Sequence, residues 1–513
     1  MSETITITIK DGQAVQKILH DKERSILETF TRNGMAQGSF CKGLSLCGRC
    51  RIKFLKGAPL PGTEERKLFD PAELREGYRL ACRAKPKQDC TIELCFENEP
   101  DMQIVAETGN HVERKALLIT DLKSVRADQG NIIGSAAENP AHPRVFAAVD
   151  IGTTTVVMQL ADVLTGEVLA TEKFLNPQRR YGLDVLSRIQ AAIEYGEEMR
   201  DCILQAVLQG IKKLGTGSRN RKEAVQLETE VFQKPELLCI TGNTAMLHIF
   251  VGADTSGLGK SPFTPVFLNE TEMEMEGIRA LLMPSVSAFI GADVSAGILE
   301  TKMQQSEQIN LLIDLGTNGE MALGNRKKIL SCAAAAGPAF EGGAAGGIYG
   351  ADMLAAIAGL LDAGVIEESG YMEKPESCLY QGKQIEITLE KVRQIQLAKA
   401  AVRAGIELLI QKYGLASCEQ IDSVYLAGGF GFFLSDYAAV RTGLLPEKLK
   451  GKISAVGNSA LAGALRYGRD FLLHRGADAL DTSKIESFNL AEEKEFQETY
   501  IRYMDFPAGN RER

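Results

Sequence analysis

Four cysteines, Cys41, Cys47, Cys50 and Cys82, stand in the spacing C-x5-C-x2-C-x31-C. Three thiolates on one short loop can wrap a pair of irons from one side, and a distant fourth can close the site, as in a [2Fe–2S] centre. Gly43 and Gly48 let that loop bend so that backbone amides face the cluster sulfurs. A structural zinc site would ask for two paired short spacings, and the second C-x2-C is missing. Cys90 and Cys95 fall in the strand-like CTIELCF at 90–96 and read as core packing. Lys42, Arg49, Arg51, Arg83, Lys85 and Lys87 surround the ligands. A solvated face accounts for them; a docking patch for an acidic partner is the functional alternative.

A second chemistry is written twice. Asp150-Ile151-Gly152-Thr153-Thr154 recurs 164 residues later as Asp314-Leu315-Gly316-Thr317-Asn318, each copy after an apolar strand. Gly152 and Gly316 permit a tight turn, and the amides and hydroxyls that follow can point at phosphate oxygens. Asp150 and Asp314 are the candidate catalytic carboxylates, holding Mg²⁺ through waters as that ion prefers. Two such turns facing each other would clamp a triphosphate. Ala427-Gly428-Gly429-Phe430-Gly431, directly after SVYL, offers bare backbone to a base and ribose. Asn243 is either a helix cap or a phosphate contact, and Asp293 either a helix cap or a residue lining the cleft. Asp254-x4-Gly259-Lys260-Ser261 is one residue short of a P-loop and sets a carboxylate where the first glycine belongs, so it is set aside. His248, in an apolar helical stretch, reads as a core residue and not a metal ligand.

These residues need a scaffold of several domains, since 513 residues exceed a single core. Composition is ordinary for a globular protein, with 44% hydrophobic and 24% charged residues. A net charge of −9 argues against nucleic-acid binding. Residues 1–100 carry +3 and the remainder −12, so a mildly basic N-terminal domain precedes an acidic body. The opening MSETITITIK shows no secretory signal, and no run of 18 apolar residues suggests a membrane span. A reducing cytoplasm suits the eleven cysteines. Alternation at Ile5, Ile7 and Ile9 predicts a strand, Ser25–Asn33 a helix stopped by Gly34, and 52–55 and 90–96 further strands. Residues 1–97 thus form a β-grasp, ferredoxin-like domain of α+β class. Residues 98–144 are a polar connector, and 145–513 an α/β body with lobes at about 145–308 and 309–513. Long helices are expected over 185–214 and 390–412, and polar surface insertions over 216–232 and 369–388.

The two turns with the glycine motif resemble the phosphate and adenosine motifs of acetate and sugar kinases, heat-shock chaperones and actin. That resemblance implies two ribonuclease-H-like lobes with ATP between them. With a ferredoxin domain in front, nearly the whole chain resembles the reductive activators of corrinoid proteins. Arg79-Leu80-Ala81-Cys82, Gly242-Asn243-Thr244-Ala245-Met246, Gly291-Ala292-Asp293 and Gly337-Pro338-Ala339-Phe340-Glu341-Gly342 support it. In that family the cluster passes one electron to Co(II) of a partner corrinoid protein in a methyltransferase system, restoring Co(I), and ATP drives the step. A low-potential donor would reload the cluster, and the resemblance leaves room for a homodimer. A plant-type cluster sits near −400 mV, and each 100 mV uphill costs about 2.3 kcal/mol per electron. Two departures stand out. Ser45 replaces a glycine usual in the loop, and the chain is shorter than family members, as if lacking a middle segment after the connector. No D-x-H-x-x-G corrinoid pattern occurs, so the corrinoid belongs to the partner. Competing classes are a small-molecule kinase, an ATP-driven donor to another metalloenzyme, and a nucleotide-binding redox sensor.

The cysteine pattern predicts a brown protein when purified without oxygen, with two irons and a [2Fe–2S] paramagnetic signal on reduction. Cys82→Ala should abolish the signal and Cys95→Ala should keep it; bound zinc, or a Cys82→Ala spectrum like the parent's, contradicts the assignment.

Overall fold

The computed structural model describes residues 4–11, 14–33, 50–63, 65–94, 144–216, 234–316, 318–340, 350–380, 383–474 and 480–508. The expected connector at 98–144, apart from Arg144, and the insertion at 216–232, apart from Thr216, lie outside them, as do Cys41, Cys47, Cys95, Lys42, Arg49, Thr317, Glu341 and Gly342. The chain divides into two compact units, residues 1–99 with 177–203, and residues 100–176 with 204–513.

In the first unit, β1 (Thr4–Asp11) and β2 (Ala14–Asp21) form a hairpin, followed by α1 (Ile26–Arg32). β3 (Arg51–Lys56), β4 (Tyr78–Leu80) and β5 (Cys90–Leu94) complete a five-stranded sheet in the order β2-β1-β5-β3-β4, with β1 and β5 parallel. Ile5, Ile7 and Ile9 are all buried, so the alternation does face the core as the period of two requires. Ile7 and Ile9 pack with Ile26 and Phe30 of α1 and with Ile52, Phe54 and Ile92. Ser25 and Glu28 cap α1 reciprocally, the Glu28 carboxylate accepting Ser25 N and Oγ at 2.6 and 2.8 Å. Buried Glu65 accepts Leu80 N at 2.8 Å and Gly62 N at 2.7 Å, pinning the chain just before Cys82.

In the second unit, β6 (Val145–Ile151), β7 (Thr155–Asp162) and β8 (Val168–Leu175) form an antiparallel meander. β9 (Leu237–Gly242) then pairs parallel to β6, and β10 (Thr271–Met275) and β11 (Ile278–Leu282) extend the sheet to the order β10-β11-β9-β6-β7-β8. The plan repeats. β12 (Asn310–Leu315), β13 (Gly319–Gly324) and β14 (Ile329–Ala334) form the second meander. A small hairpin of β15 (Glu376–Tyr380) and β16 (Lys383–Ile387) follows. β17 (Ser423–Ala427) pairs parallel to β12, and β18 (Ile453–Gly457) and β19 (Ile485–Ser487) give the order β18-β17-β12-β13-β14-β19. In each sheet the first strand of the meander takes a parallel neighbour, so the duplicated motif marks a duplicated fold.

Helices follow the apolar periodicity. α2 (Val185–Thr216) is broken by non-helical backbone at Tyr195. α3 (Thr244–Val251) and α4 (Ala292–Glu300) belong to the first half of the body, and α5 (Gly350–Asp362), α6 (Leu389–Tyr413) and α7 (Gly428–Phe433) to the second. α8 (Ser459–Leu472) comes late in the chain yet packs on α4 and against β6 and β9. Residues 369–388 are not merely a surface insertion, because Met372, Ile385 and Ile387 are buried in the core of the second sheet. Their period of two, Ile385-Glu386-Ile387, seats one face of β16 on that core. Among the described residues no helix is long and apolar enough to cross a membrane.

Candidate functional site

Two of the four predicted cluster ligands fall within the described residues. Cys50 and Cys82 are buried, their sulfurs stand 3.3 Å apart, and they form no disulfide. Backbone bonds hold them there. Ala81 N donates to Cys50 O at 2.7 Å, and Ile26 N and Leu27 N at the start of α1 donate to Ala84 O and Ala81 O. Two thiolates on one tetrahedral metal with bonds of about 2.3 Å lie roughly 3.7 Å apart, so this pair fits a shared iron with little adjustment. Cys90 sits in the same core, where burial pushes its thiol up to about 11, so it packs as an apolar residue. Of the surrounding cations, Arg51 pairs with Glu73 at 3.1 Å, and Lys85 and Lys87 donate to Glu23 O and the Glu23 carboxylate at 2.8 Å. These contacts favour the plain account of a solvated face.

The two phosphate-type turns take the same place in their sheets, between β6 and β7 and between β12 and β13. A side chain at Gly152 would lie 2.7 Å from Thr155 O, so the first turn has no room for one. Buried Asn176 braces it, donating through Nδ2 to Gly152 O at 2.8 Å and through its backbone N to Thr154 O at 2.9 Å. Asn243 Nδ2 donates to Thr153 Oγ1 at 3.0 Å, while Asn243 Oδ1 accepts Met246 N and caps α3. Asn243 is therefore the cap, and its spare amide orients the turn. In the second turn Gly316 N donates to Asn318 O at 2.9 Å, and Gly316 faces open space.

Acidic groups gather beside these turns. Burial lifts Asp314 to about 7, helped by the charges of Asp293 and Asp150. Burial also lifts Asp150 to about 7, opposed by a hydrogen bond from Asn458 and reinforced by Asp293. Asp293 rises to about 6 through burial, although its Oδ1 accepts Val294 N at 2.8 Å. Glu320 is driven well above the usual carboxylate range by burial and by the charges of Asp293 and Asp314. Asp293 is not a helix cap, since Gly291 holds that position in α4 and Asp293 lies in the first turn. Gly291 is needed there, because a Cβ would stand 2.5 Å from Asn243 Cα. Gly428, with φ +79°, presses on Asp314, where a Cβ would meet Oδ1 at 2.5 Å. Gly429 is exposed beside it, at the start of α7. Carboxylates beside turns that bear amides and hydroxyls suit a divalent cation held through waters and carrying phosphates.

Sequence patterns missed Asn176, Glu320 and Asn458. Glu320 had a local signal, six residues after Asp314 on β13; the two asparagines act across 24 and 308 residues and had none. His248 is a core residue, its Nδ1 bonded to Thr244 O at 2.7 Å and its Nε2 accepting Val266 N at 3.0 Å. The P-loop-like stretch is a local turn in which Asp254 accepts Ser256 N and Oγ at 2.8 and 2.7 Å.

Comparison with known proteins agrees with this organisation. Residues 9–87 match the 2Fe-2S iron-sulfur cluster binding domain, residues 146–306 the RACo middle region, and residues 308–346 and 344–513 the C-terminal ASKHA domain of RACo. A middle region thus follows the connector, against the expectation that one is missing. The chain is 30% identical over 387 residues to the corrinoid activation enzyme RamQ of Eubacterium limosum, covering 62% of this chain and 63% of RamQ. It is 25% identical over 392 residues to the Co(II) methylated amine-specific corrinoid protein reductase of Methanosarcina barkeri, covering 61% of this chain and 68% of that one. Its fold matches a solved reductive activator for a corrinoid, iron-sulfur protein with a TM-score of 0.60, at 24% identity over 98% of each chain.

Raised carboxylate pKa values carry a sign for stability. Between about pH 4 and pH 7 the folded chain keeps protons that the unfolded chain releases, so stability falls as pH rises through that window. In metal-free buffer the melting temperature should therefore fall from about pH 5 to about pH 8, and Asp314→Asn should flatten the fall by removing one charge. The same variant should lose ATP hydrolysis about 10²-fold or more while binding nucleotide nearly as the parent does. Thermal melts across pH and phosphate release check both; parental hydrolysis with the parental pH slope would make Asp314 structural.

Proposed function

Because the chain belongs to the RACo family, we propose that it is an ATP-dependent reductive activator of a corrinoid protein in a methyl-transfer system. A [2Fe–2S] cluster held by Cys41, Cys47, Cys50 and Cys82 would supply electrons singly, drawn from a low-potential donor. The cobalt is the partner's, taken from inactive Co(II) to Co(I). The single observation that carries this proposal is the set of buried, interacting carboxylates at two duplicated strand-turn motifs, in a chain that also carries a buried thiol pair.

In this proposal Asp150 and Asp314 hold Mg²⁺ on the triphosphate through waters. Thr153, Thr154, Thr317 and Asn318, on the turns that Gly152 and Gly316 permit, orient the phosphate oxygens, while Gly428 and Gly429 leave room for the nucleoside. A bound cation would draw the protons from these buried carboxylates and from neighbouring Asp293, and their negative charge would then hold it. Each turn is rooted in its own sheet, so bound ATP and bound products favour different seatings of the two sheets. A nucleotide shifts such an equilibrium only by its differential affinity for the two states, and that difference is what assists the uphill electron step.

The test mixes a Co(II) corrinoid protein of a methyltransferase system with this chain, a low-potential donor and Mg-ATP under anaerobic conditions. The cobalt spectrum should turn to Co(I), or to methyl-cobalt when a methyl donor is present. Omitting ATP or using Cys82→Ala should each stop the change. Equal reduction without ATP would overturn the proposal and leave a ferredoxin with a regulatory nucleotide domain.

A further inference from the structure

We infer that Asn458 is a positioning residue of the nucleotide site, fixing the carboxylate of Asp150 and making its orientation depend on the seating of α8; this deepens, and rests on, the nucleotide role proposed above. Asn458 joins β18 to α8, just after Gly457, whose φ of +67° turns the chain out of the strand. Its amide makes two bonds of opposite sense. Oδ1 accepts Leu461 N at 2.8 Å and caps α8. Nδ2 donates to Asp150 Oδ2 at 2.8 Å, across 308 residues of sequence. Together they fix the amide orientation, because a flipped amide would set oxygen against carboxylate and NH₂ against N–H.

The helix that delivers this donor is tightly seated. A side chain at Gly463 would collide with the backbone oxygen of Ala296 in α4, and one at Gly468 would stand 2.7 Å from Cys239 Cβ on β9. In α4, Gly297 leaves room for Ser459 Oγ, which a Cβ would meet at 3.0 Å. α8 is thus held against the first sheet while continuing from a strand of the second. The ends of β17 and β18 serve the two aspartates in parallel. Ala427 pairs with Asp314 on one side and Gly457 on the other, so that Gly428 abuts Asp314 while Asn458 reaches Asp150. A shift of β18 and α8 relative to β6 would break the 2.8 Å bond and release Asp150 from its set orientation.

The plainer role is a helix cap alone, and three variants of the full chain separate the two. Asn458→Ser and Asn458→Asp each retain a capping acceptor. Serine is too short to donate to Asp150, and aspartate replaces the donor with a second carboxylate. Asn458→Ser should melt close to the parent, Asn458→Asp should melt lower because two carboxylates then face each other, and both should keep the parent's KM for Mg-ATP. The kcat should fall roughly tenfold in Asn458→Ser, and further in Asn458→Asp, the scale of losing a group that orients a metal-linked carboxylate. Parental kcat in both, with Asn458→Ala alone losing stability, overturns the inference, as does a kcat loss that tracks melting temperature across all three. A parent chain that hydrolyses no Mg-ATP overturns the nucleotide role itself and this inference with it.

Discussion

Four carboxylates, Asp150, Asp293, Asp314 and Glu320, are each withdrawn from water, and that burial, reinforced by the charge of Asp293 on the other three, is the condition the body of this chain is built to bear. Each is anchored by regular structure: Asp150 at the end of β6, Asp314 at the end of β12, Glu320 at the start of β13, Asp293 in the first turn of α4. Helix N-termini favour negative charge, and both α4 and α8 begin here. Such crowding costs stability, a common trade at functional sites. The glycines at 291 and 428 follow from it, since backbone must approach these carboxylates more closely than any side chain allows.

Much of this was legible in the amino-acid order. The D-x-G-T turns marked the ends of β6 and β12 because an apolar strand and a tight turn are local events. The glycine motif after SVYL likewise fell at the end of β17. What could not be read was made by the fold. Asn458 and Asn176 are ordinary polar residues until strand pairing and helix packing bring them to Asp150 and Gly152. Asn243 could be read as a cap, yet its second bond to Thr153 appears only when β9 lies beside β6. The hairpin at β15 and β16 was lost because its polar face dominates its composition, while Ile385 and Ile387 carry the packing. In the first unit Cys50 and Cys82 could be paired by spacing alone, but the backbone bonds that hold them depend on the register of β3 with β4 and on the first turn of α1.

The two kinds of chemistry in this chain place different demands on structure. A one-electron centre needs thiols fixed at metal-binding distance in an apolar core, and the five-stranded sheet supplies that with Ala81 and Cys50 bonded back to back. The nucleotide engine we propose would need two surfaces that respond differently to substrate and product, and the duplicated sheets offer one turn each. Asn458, between β18 and α8, reaches Asp150 at the end of β6 through one amide. In the function we propose, hydrolysis at the acidic cluster is tied to electron delivery and does not merely accompany it.

Following phosphate release and cobalt absorbance together, in one anaerobic cuvette, tests that claim most directly. Phosphate release should quicken when the Co(II) corrinoid protein is added, run in fixed proportion to the Co(I) formed, and slow again once the cobalt is reduced. Phosphate release that ignores the presence and oxidation state of the cobalt would contradict it.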